Sequence, residues 1–235
     1  MSDTDHITIR SARAEEADRV VELLSIAEPQ HLATASGMRT LLRAGDPAAG
    51  GQTLVHIVVA EASDHRLVGA AMVGPAAARW AHEVVTKARP LLGDHYADLF
   101  PRVVAELSEI AVEEPYRRRG IGLRLMEAAV HACLTSRYRL MVWFFRPKDK
   151  GAVAFYESIG ATCLDVHEDL VFASPSEEGV FGRGLQHGKL RAGLIPLVSN
   201  IYFGNLNSTG KRCVVGLWNG VPGEAANVPA TFAAG

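Results

Sequence analysis

The stretch from Glu106 to Phe145 restricts the fold more than any other part of the chain. A strand pattern, a basic turn, a helix pattern and a second strand pattern follow one another there. Glu106–Val112 alternates as a half-buried strand does. Gly122 to about Ser136 is predicted to be an amphipathic helix, with an inward face of Leu125, Met126, Ala129, Val130 and Cys133. Arg139–Phe145 is a nearly continuous apolar run, which is typical of a central strand covered on both faces. This strand–turn–helix–strand unit predicts an α/β layer fold.

The same two periodicities predict further elements on both sides of this unit. A helical stripe of apolar residues runs through Pro75–Phe100. A short helix containing Ala152–Ile159 ends at Gly160, a residue suited to a helix C-cap. Beyond Ser174 the chain is rich in Gly, Pro, Ser and Asn. Helices are predicted over about Ala17–Ala27 and around Met38–Leu42. Further strands are predicted at His6–Arg10, Thr53–Ala60, Leu67–Val73, Thr162–Val166 and Asp169–Ala173, with strand-like patterns at Leu194–Phe203 and Cys213–Trp218.

Composition excludes several classes of function. The 235 residues carry a net charge of −2, so no global field favours nucleic acid or an anionic membrane. Cys133, Cys163 and Cys213 are too far apart to suggest a zinc site or a disulfide framework, and no metal is predicted. The polar N-terminus is unlike a signal peptide, and no apolar run is long enough to span a bilayer. We therefore expect a cytoplasmic protein with reduced thiols.

The basic turn Arg117–Gly122 is the strongest candidate for a ligand site. Gly120 and Gly122 permit backbone angles that bring consecutive N–H groups onto one concave surface. Because a helix begins directly after the turn, its positive end adds to these donors and favours an anion. The arginines at 117–119 add charge-assisted contacts to phosphate. A plain tight turn with solvated arginines is the alternative, since glycine marks loops in many contexts.

Two familiar phosphate-binding motifs do not fit this turn. The dinucleotide fingerprint requires a third glycine where this chain has Leu125, and the P-loop requires a final Gly-Lys-Ser/Thr. The turn instead resembles the Arg/Gln-x-x-Gly-x-Gly/Ala motif of the GNAT superfamily of N-acetyltransferases, read here from Arg117 to Gly122. A second motif of that family, Ala-x-x-Phe/Leu-Tyr-Glu-x-x-Gly, resembles the run from Ala152 to Gly160. Both motifs occur in the family's order, with the apolar strand between them.

The resemblance covers about Ile7 to Ala173 and implies an α/β fold of GNAT-like architecture, a mixed, mostly antiparallel sheet flanked by helices. It also implies acetyl-CoA as cosubstrate, with the pantetheine arm paired to the strand that precedes the turn. Ile110 and Val112 would offer their backbone to pantetheine. The residues implied around the diphosphate are Arg117, Arg118, Arg119, Gly120, Ile121, Gly122 and Leu123.

The same resemblance implies catalytic roles. Acetyl transfer requires that an ammonium with a pKa of about 10.4 lose a proton, and that the departing thiolate be stabilised. Tyr156 matches the family's tyrosine acid, with a core-packed tyrosine as the alternative. Glu106 matches the position of a glutamate base, with proton loss through ordered water as the alternative. Asp149 stands where the family often has a cofactor-binding asparagine, although an ionised aspartate does not donate a hydrogen bond.

Two segments exceed the minimal family core and are candidates for acceptor recognition. One is a helical insertion at residues 75–103 within a GNAT domain at 1–173, and the other is a C-terminal extension at 174–235. We expect Trp80 of the insertion to line or cover the acceptor pocket. Alternatively, the insertion only covers the sheet or contacts a second subunit. The extension could complete the sheet or contact a partner subunit in a homodimer.

The predicted function is N-acetyl transfer from acetyl-CoA to a primary amine of a small molecule or peptide, by direct attack in a ternary complex. Two alternatives stay open. One is a non-catalytic acyl-CoA-binding regulatory module, against which the Tyr156 motif argues. The other is an acyltransferase that uses a longer acyl-CoA in a biosynthetic pathway.

Overall fold

The chain forms two units. The first unit contains Met1–Gly74 and Leu107–Ser136, and the second contains Pro75–Glu106 and Arg137–Gly235. The computed structural model describes residues 6–27, 34–45, 54–76, 102–166 and 190–197, and the backbone of the short strands at 170–171, 174–176, 179–181, 184–185, 201–206 and 211–216.

Up to residue 163 the helices and strands of the described residues follow the predicted order, whereas the short strands between residues 174 and 185 were not predicted. The α-helices are α1 (Ala17–Ala27), α2 (Ala35–Ala44), α3 (Ile121–Thr135) and α4 (Lys150–Ser158). The first six strands are β1 (Thr8–Ser11), β2 (His56–Glu61), β3 (Leu67–Pro75), β4 (Val104–Val112), β5 (Leu140–Phe145) and β6 (Thr162–Cys163). The remaining strands are β7 (Leu170–Val171), β8 (Ser174–Ser176), β9 (Gly179–Phe181), β10 (Gly184–Leu185), β11 (Arg191–Pro196), β12 (Ile201–Leu206) and β13 (Lys211–Gly216).

In the first unit, α1 supplies the core on one side of the strands. Its buried side chains recur at helical spacing and pack with apolar residues of β2 and β3. Thr34 caps α2 by accepting a hydrogen bond from the backbone N–H of Gly37 at 3.1 Å. Met38 of α2 joins the same core. The members of this core are Ala17, Val20, Leu23, Leu24, Met38, Ile57, Val59, Leu67 and Ala70.

Helix α3 packs against β1 and β2 of the same unit. The face predicted to be inward is buried, namely Leu125, Met126, Ala129, Val130 and Cys133. Gly69 of β3 brings its backbone close to the start of this helix. A side chain at position 69 would meet the carbonyl oxygen of Ala111 at 3.0 Å and Leu125 Cδ1 at 3.1 Å. The absence of a side chain at Gly69 therefore sets how closely β3, β4 and α3 approach one another.

Seven strands form the main sheet, in the order β1-β2-β3-β4-β5-β11-β6. The recorded pairings are antiparallel except that of β4 with β5, which is parallel. This is the mixed, mostly antiparallel sheet flanked by helices that the sequence predicted. The sheet position between β5 and β6 is filled by β11, a strand from the segment beyond residue 174. Leu194–Phe203 reads as one strand in the sequence, whereas β11 ends at Pro196 and β12 begins at Ile201.

The predicted helical insertion falls mostly outside the described residues. Of residues 75–103, Pro75 ends β3, and Ala76 donates its backbone N–H to the carbonyl of Val104 at 3.2 Å. Trp80 lies outside the described residues, so its expected place at the acceptor pocket stays a prediction.

Candidate functional site

The turn before α3 reverses the chain through two left-handed residues. A 3-10 helix, Glu114–Tyr116, ends at an extended Arg117. Arg118 then has φ 64° and Gly120 has φ 78°. Glycine takes this conformation without strain, whereas arginine does so at a cost. The space beside Gly120 is open, because a Cβ there would meet nothing within 4 Å.

The start of α3 presents backbone donors that the helix itself does not use. The first intrahelical bond runs from the N–H of Arg124 to the carbonyl of Gly120 at 3.1 Å. The N–H groups of Ile121, Gly122 and Leu123 precede it and have no acceptor one helical turn earlier. Gly120 supplies no side-chain cap, and the first turn carries no acidic residue. The positive end of the helix is thus available to an anionic ligand.

The three arginines of the turn have different surroundings. All three are exposed. Arg117 Nε donates to the carbonyl oxygen of Val112 at 2.8 Å, which ties the turn to the end of β4. Arg119 directs its guanidinium carbon to within 5.5 Å of the Tyr116 ring centroid. The side chain of Arg117 therefore stabilises the turn, and that of Arg119 contacts the Tyr116 ring.

Ile110 and Val112 lie on the last part of β4, just before the turn. The parallel register of β4 with β5 comprises Val104, Ala105 and Glu106, and both residues lie beyond it. The bond from Arg117 already engages one acceptor position on the Val112 carbonyl. Val112 nevertheless keeps a backbone N–H, and a carbonyl oxygen has a second lone pair.

Tyr156 lies in the second unit, on α4, with its side chain only 6% exposed. Its ring centroid is 4.8 Å from that of Trp143, 5.1 Å from that of Phe145 and 5.2 Å from that of Phe155. Burial raises the pKa of the Tyr156 phenol well above its ordinary value, with smaller contributions from Cys163 and Asp149. The hydroxyl is therefore a neutral donor over the whole physiological pH range.

The two carboxylates predicted for this site have separate positions. Glu106 is half-buried on β4, at the last residue of the register with β5. Asp149 caps α4, because its Oδ1 accepts the backbone N–H of Ala152 at 2.9 Å. Asp149 is therefore the N-cap of α4, a role that the family resemblance did not suggest. Its contact with the cofactor stays a prediction. Gly160, with φ 76°, ends the same helix segment as predicted.

Residues 20–161 match the Acetyltransferase (GNAT) family. The chain belongs to this family. Similar solved structures include YncA from Salmonella typhimurium with its cofactor acetyl-CoA, at a TM-score of 0.53 and 16% identity over 82% of this chain and 95% of that one. An N-acetyltransferase from Staphylococcus aureus Mu50 matches with a TM-score of 0.51 and 14% identity, over 82% and 99% of the two chains. A GNAT-family acetyltransferase from Streptococcus pneumoniae has a TM-score of 0.50 and 15% identity, over 80% and 97%.

Membership of the GNAT family makes the chain an acyltransferase, with acetyl-CoA as its cosubstrate. The turn fits the diphosphate of this molecule, because it combines unused N–H donors, a helix N-terminus free of acidic side chains and open space at Gly120. GNAT enzymes act on amine acceptors.

Two residues at this turn were not predicted from the sequence. Arg66 and Tyr116 join Arg119 beside the turn, and their contact links residues 50 positions apart. An aromatic residue directly before a basic phosphate turn is the signal that could have pointed to Tyr116. No local signal marked Arg66.

Among the described residues, no helix is long and apolar enough to cross a membrane, and no group of three or more His, Cys, Asp or Glu could hold a metal ion.

Proposed function

We propose that this GNAT acyltransferase moves the acetyl group of acetyl-CoA to a primary amine of a small molecule or peptide, by direct attack in a ternary complex. The observation that carries the proposal is the start of α3, where Ile121, Gly122 and Leu123 offer N–H groups without intrahelical acceptors. Arg118 and Arg119 stand beside these donors, and Arg117 holds the turn in place. These groups would bind the diphosphate. The backbone of Ile110 and Val112 would pair with the pantetheine arm.

In the proposed reaction, the neutral amine attacks the thioester carbonyl carbon, a C–N bond forms and the C–S bond breaks. Glu106 would take the proton that the ammonium must lose, with ordered water as the alternative route. Tyr156 would face the departing sulfur. A phenol with a raised pKa is a weaker acid than a thiol, whose ordinary pKa is about 8.5. Tyr156 would therefore stabilise the thiolate by donating a hydrogen bond rather than by losing its proton completely.

The described cysteines support direct attack over an acyl-enzyme route. Burial raises the pKa of the Cys133 thiol to about 12 and that of the Cys163 thiol to about 11. Only the thiolate is an effective nucleophile, so neither thiol is activated at neutral pH. Cys213 lies on β13, where only the backbone is described.

A cytoplasmic location and a homodimer stay predictions.

Binding followed by turnover tests this proposal. Calorimetry with acetyl-CoA, longer acyl-CoAs and CoA measures whether the turn binds the donor, and thiol release against a panel of amines measures transfer. We expect acetyl-CoA to bind and at least one amine to release CoA. Absence of binding to every acyl-CoA would contradict the proposal. Binding without turnover on a wide panel would favour a non-catalytic module, and preference for a longer chain would favour another acyl donor.

A further inference from the structure

Two arginine side chains converge on one tyrosine directly beside the diphosphate turn. Arg66 Nη2 donates to the hydroxyl oxygen of Tyr116 at 2.5 Å, and its guanidinium carbon lies 5.2 Å from the ring centroid. The guanidinium carbon of Arg119 lies 5.5 Å from the same centroid. Arg66 and Arg119 are exposed and Tyr116 is half-buried. We call these three residues the arginine–tyrosine cluster.

Local structure places the cluster at the turn. Tyr116 is the last residue of the 3-10 helix before Arg117, and Arg119 directly precedes Gly120. Arg66 is brought there by the hairpin that joins β2 to β3. In this hairpin the N–H of Ala62 donates to the carbonyl of Arg66 at 2.9 Å. All three members belong to the first unit, as do the backbone donors at the start of α3.

Arg66 and Arg119 bring two positive charges to the cluster, and Glu113 and Asp64 are carboxylates that interact electrostatically with Arg66. Glu113, which precedes the 3-10 helix, is engaged by Arg19, whose Nη2 lies 2.5 Å from its Oε1. Asp64 Oδ1 accepts the backbone N–H of Arg66 at 3.1 Å and so shapes the hairpin. The hydrogen bond to the Tyr116 hydroxyl uses one of the five N–H donors that a guanidinium carries and leaves the charge of Arg66 in place. Two cations held this close to one phenol favour the binding of an anion between or beside them.

The cosubstrate carries a second anion suited to such a cluster. The ribose of acetyl-CoA bears the diphosphate at its 5′ position and a phosphate monoester at its 3′ position, so one sugar ring separates the two groups. A phosphate monoester carries a charge of about −1.5 to −2 near neutral pH. Its oxygens match the forked donors of guanidinium groups. A diphosphate held at the start of α3 would thus bring the 3′-phosphate within reach of neighbouring cations.

We propose that the arginine–tyrosine cluster binds the 3′-phosphate of acetyl-CoA, with Arg66 and Arg119 as the ligands and Tyr116 as the residue that positions Arg66. The proposal rests on the proposed function, because it requires the diphosphate to bind at the turn. It predicts that the protein distinguishes CoA from 3′-dephospho-CoA.

Calorimetric titration of the full chain with CoA and with 3′-dephospho-CoA tests this site. The wild type should bind CoA roughly 10- to 100-fold more tightly, the range expected for hydrogen bonds to a charged group. Arg66→Ala should lose most of this preference by weakening CoA binding while leaving the affinity for 3′-dephospho-CoA unchanged. Tyr116→Phe should lose part of it, since Arg66 is then no longer held.

Arg39→Ala is the matched control, because Arg39 pairs with Asp18 on the surface of α1 and α2 and its loss removes the same charge. Both affinities should stay unchanged in this variant. Equal binding of the two ligands by the wild type would overturn the 3′-phosphate site while leaving the diphosphate turn intact. An equal loss of both affinities in Arg66→Ala would overturn it as well. If neither ligand bound the wild type, the proposed function itself would fail.

Discussion

The indole ring of Trp143 occupies the space that a side chain at Gly193 would need. The two residues are direct partners in the antiparallel pairing of β5 with β11. A Cβ built on Gly193 would lie 2.2 Å from both Nε1 and Cε2 of Trp143. Trp143 is 1% exposed and also contacts the Tyr156 ring, so the indole has little freedom to move aside. Gly193 thereby helps to fix the position of the Trp143 ring, which packs against the Tyr156 ring.

Replacing this glycine should destabilise the protein. Gly193→Ala should lower the free energy of unfolding by about 1–3 kcal/mol, as overpacking a rigid core does. Urea denaturation measures the change. The control is Gly151→Ala in α4, where the nearest atom to a new Cβ is at 3.4 Å. That variant should gain roughly 0.5–1 kcal/mol, because alanine is the better helix residue. Equal stability of the two variants would contradict the packing described for Trp143.

Removing the Tyr156 hydroxyl should reduce turnover and spare cofactor binding. Tyr156→Phe keeps the ring that packs on Trp143 and Phe145, so the fold should persist. We expect kcat to fall by roughly 100-fold, in the range for a positioned proton or hydrogen-bond donor, with the Kd of acetyl-CoA unchanged. Tyr138→Phe, which removes the hydroxyl of another buried tyrosine in the same unit, is the control. Equal loss of binding and turnover in Tyr156→Phe would contradict the donor role.

The raised pKa of Tyr156 predicts the alkaline behaviour of the enzyme. The protonated phenol is the donor, and it is lost only when the pH exceeds its folded-state pKa, which burial holds above the ordinary value of about 10. The kcat profile should therefore show no decline from this tyrosine up to about pH 10. Ultraviolet absorbance of tyrosinate measures the ionisation directly. Wild type and Tyr156→Phe should titrate alike up to that pH, and an additional tyrosine ionising below it in the wild type would contradict the prediction.

The backbone of the turn should tolerate one of two substitutions better than the other. Gly120→Ala meets no steric clash, so its cost comes only from the left-handed conformation, roughly 1–2 kcal/mol. Acetyl-CoA should also bind more weakly. An alanine at position 120 favours a right-handed backbone, and this change would reorient the backbone N–H donors at the start of α3. Arg118→Gly relieves the same kind of strain at φ 64°, and should keep the stability within about 1 kcal/mol of the wild type. Thermal unfolding and calorimetry measure both effects, and a more stable Gly120→Ala variant would contradict this account.

The ion pairs of Arg10 should make the first unit sensitive to acid. Burial tends to raise the pKa of Glu16, but hydrogen bonds from the Arg10 side chain and the Arg13 backbone outweigh it and hold this pKa below its ordinary value. The stabilisation is present above the unfolded-state pKa of about 4.3 and is lost as the pH falls through the lower folded-state pKa. Glu16→Gln should flatten the loss of stability below about pH 4. Glu15→Gln, which removes the neighbouring exposed carboxylate, is the matched control. Parallel acid-unfolding curves for the wild type and Glu16→Gln would contradict this assignment.

Local patterns account for the parts of the fold that could be predicted. The buried face of α3 was predicted correctly because each of its residues contacts the core through a spacing visible along the chain. The left-handed conformations of Gly120 and Gly160 likewise follow from residues within one turn of each helix end. The strand β4 begins at Val104, two residues before the predicted Glu106, since strand ends depend on hydrogen bonds that periodicity does not encode.

The sequence by itself therefore determined the α/β sheet, the glycine-containing turn before α3 and the family, because each rests on neighbouring residues whose spacing is fixed by the backbone. Only the tertiary structure decided that β11 enters the sheet beside β5, that Asp149 caps α4 and that Arg117 braces the end of β4. It alone joined Arg66 to Tyr116 and placed Trp143 over Gly193. The contacts of Arg66 and Gly193 join residues that are far apart in the chain. Such contacts form only when separate elements pack together, so the periodicity of the sequence does not predict them.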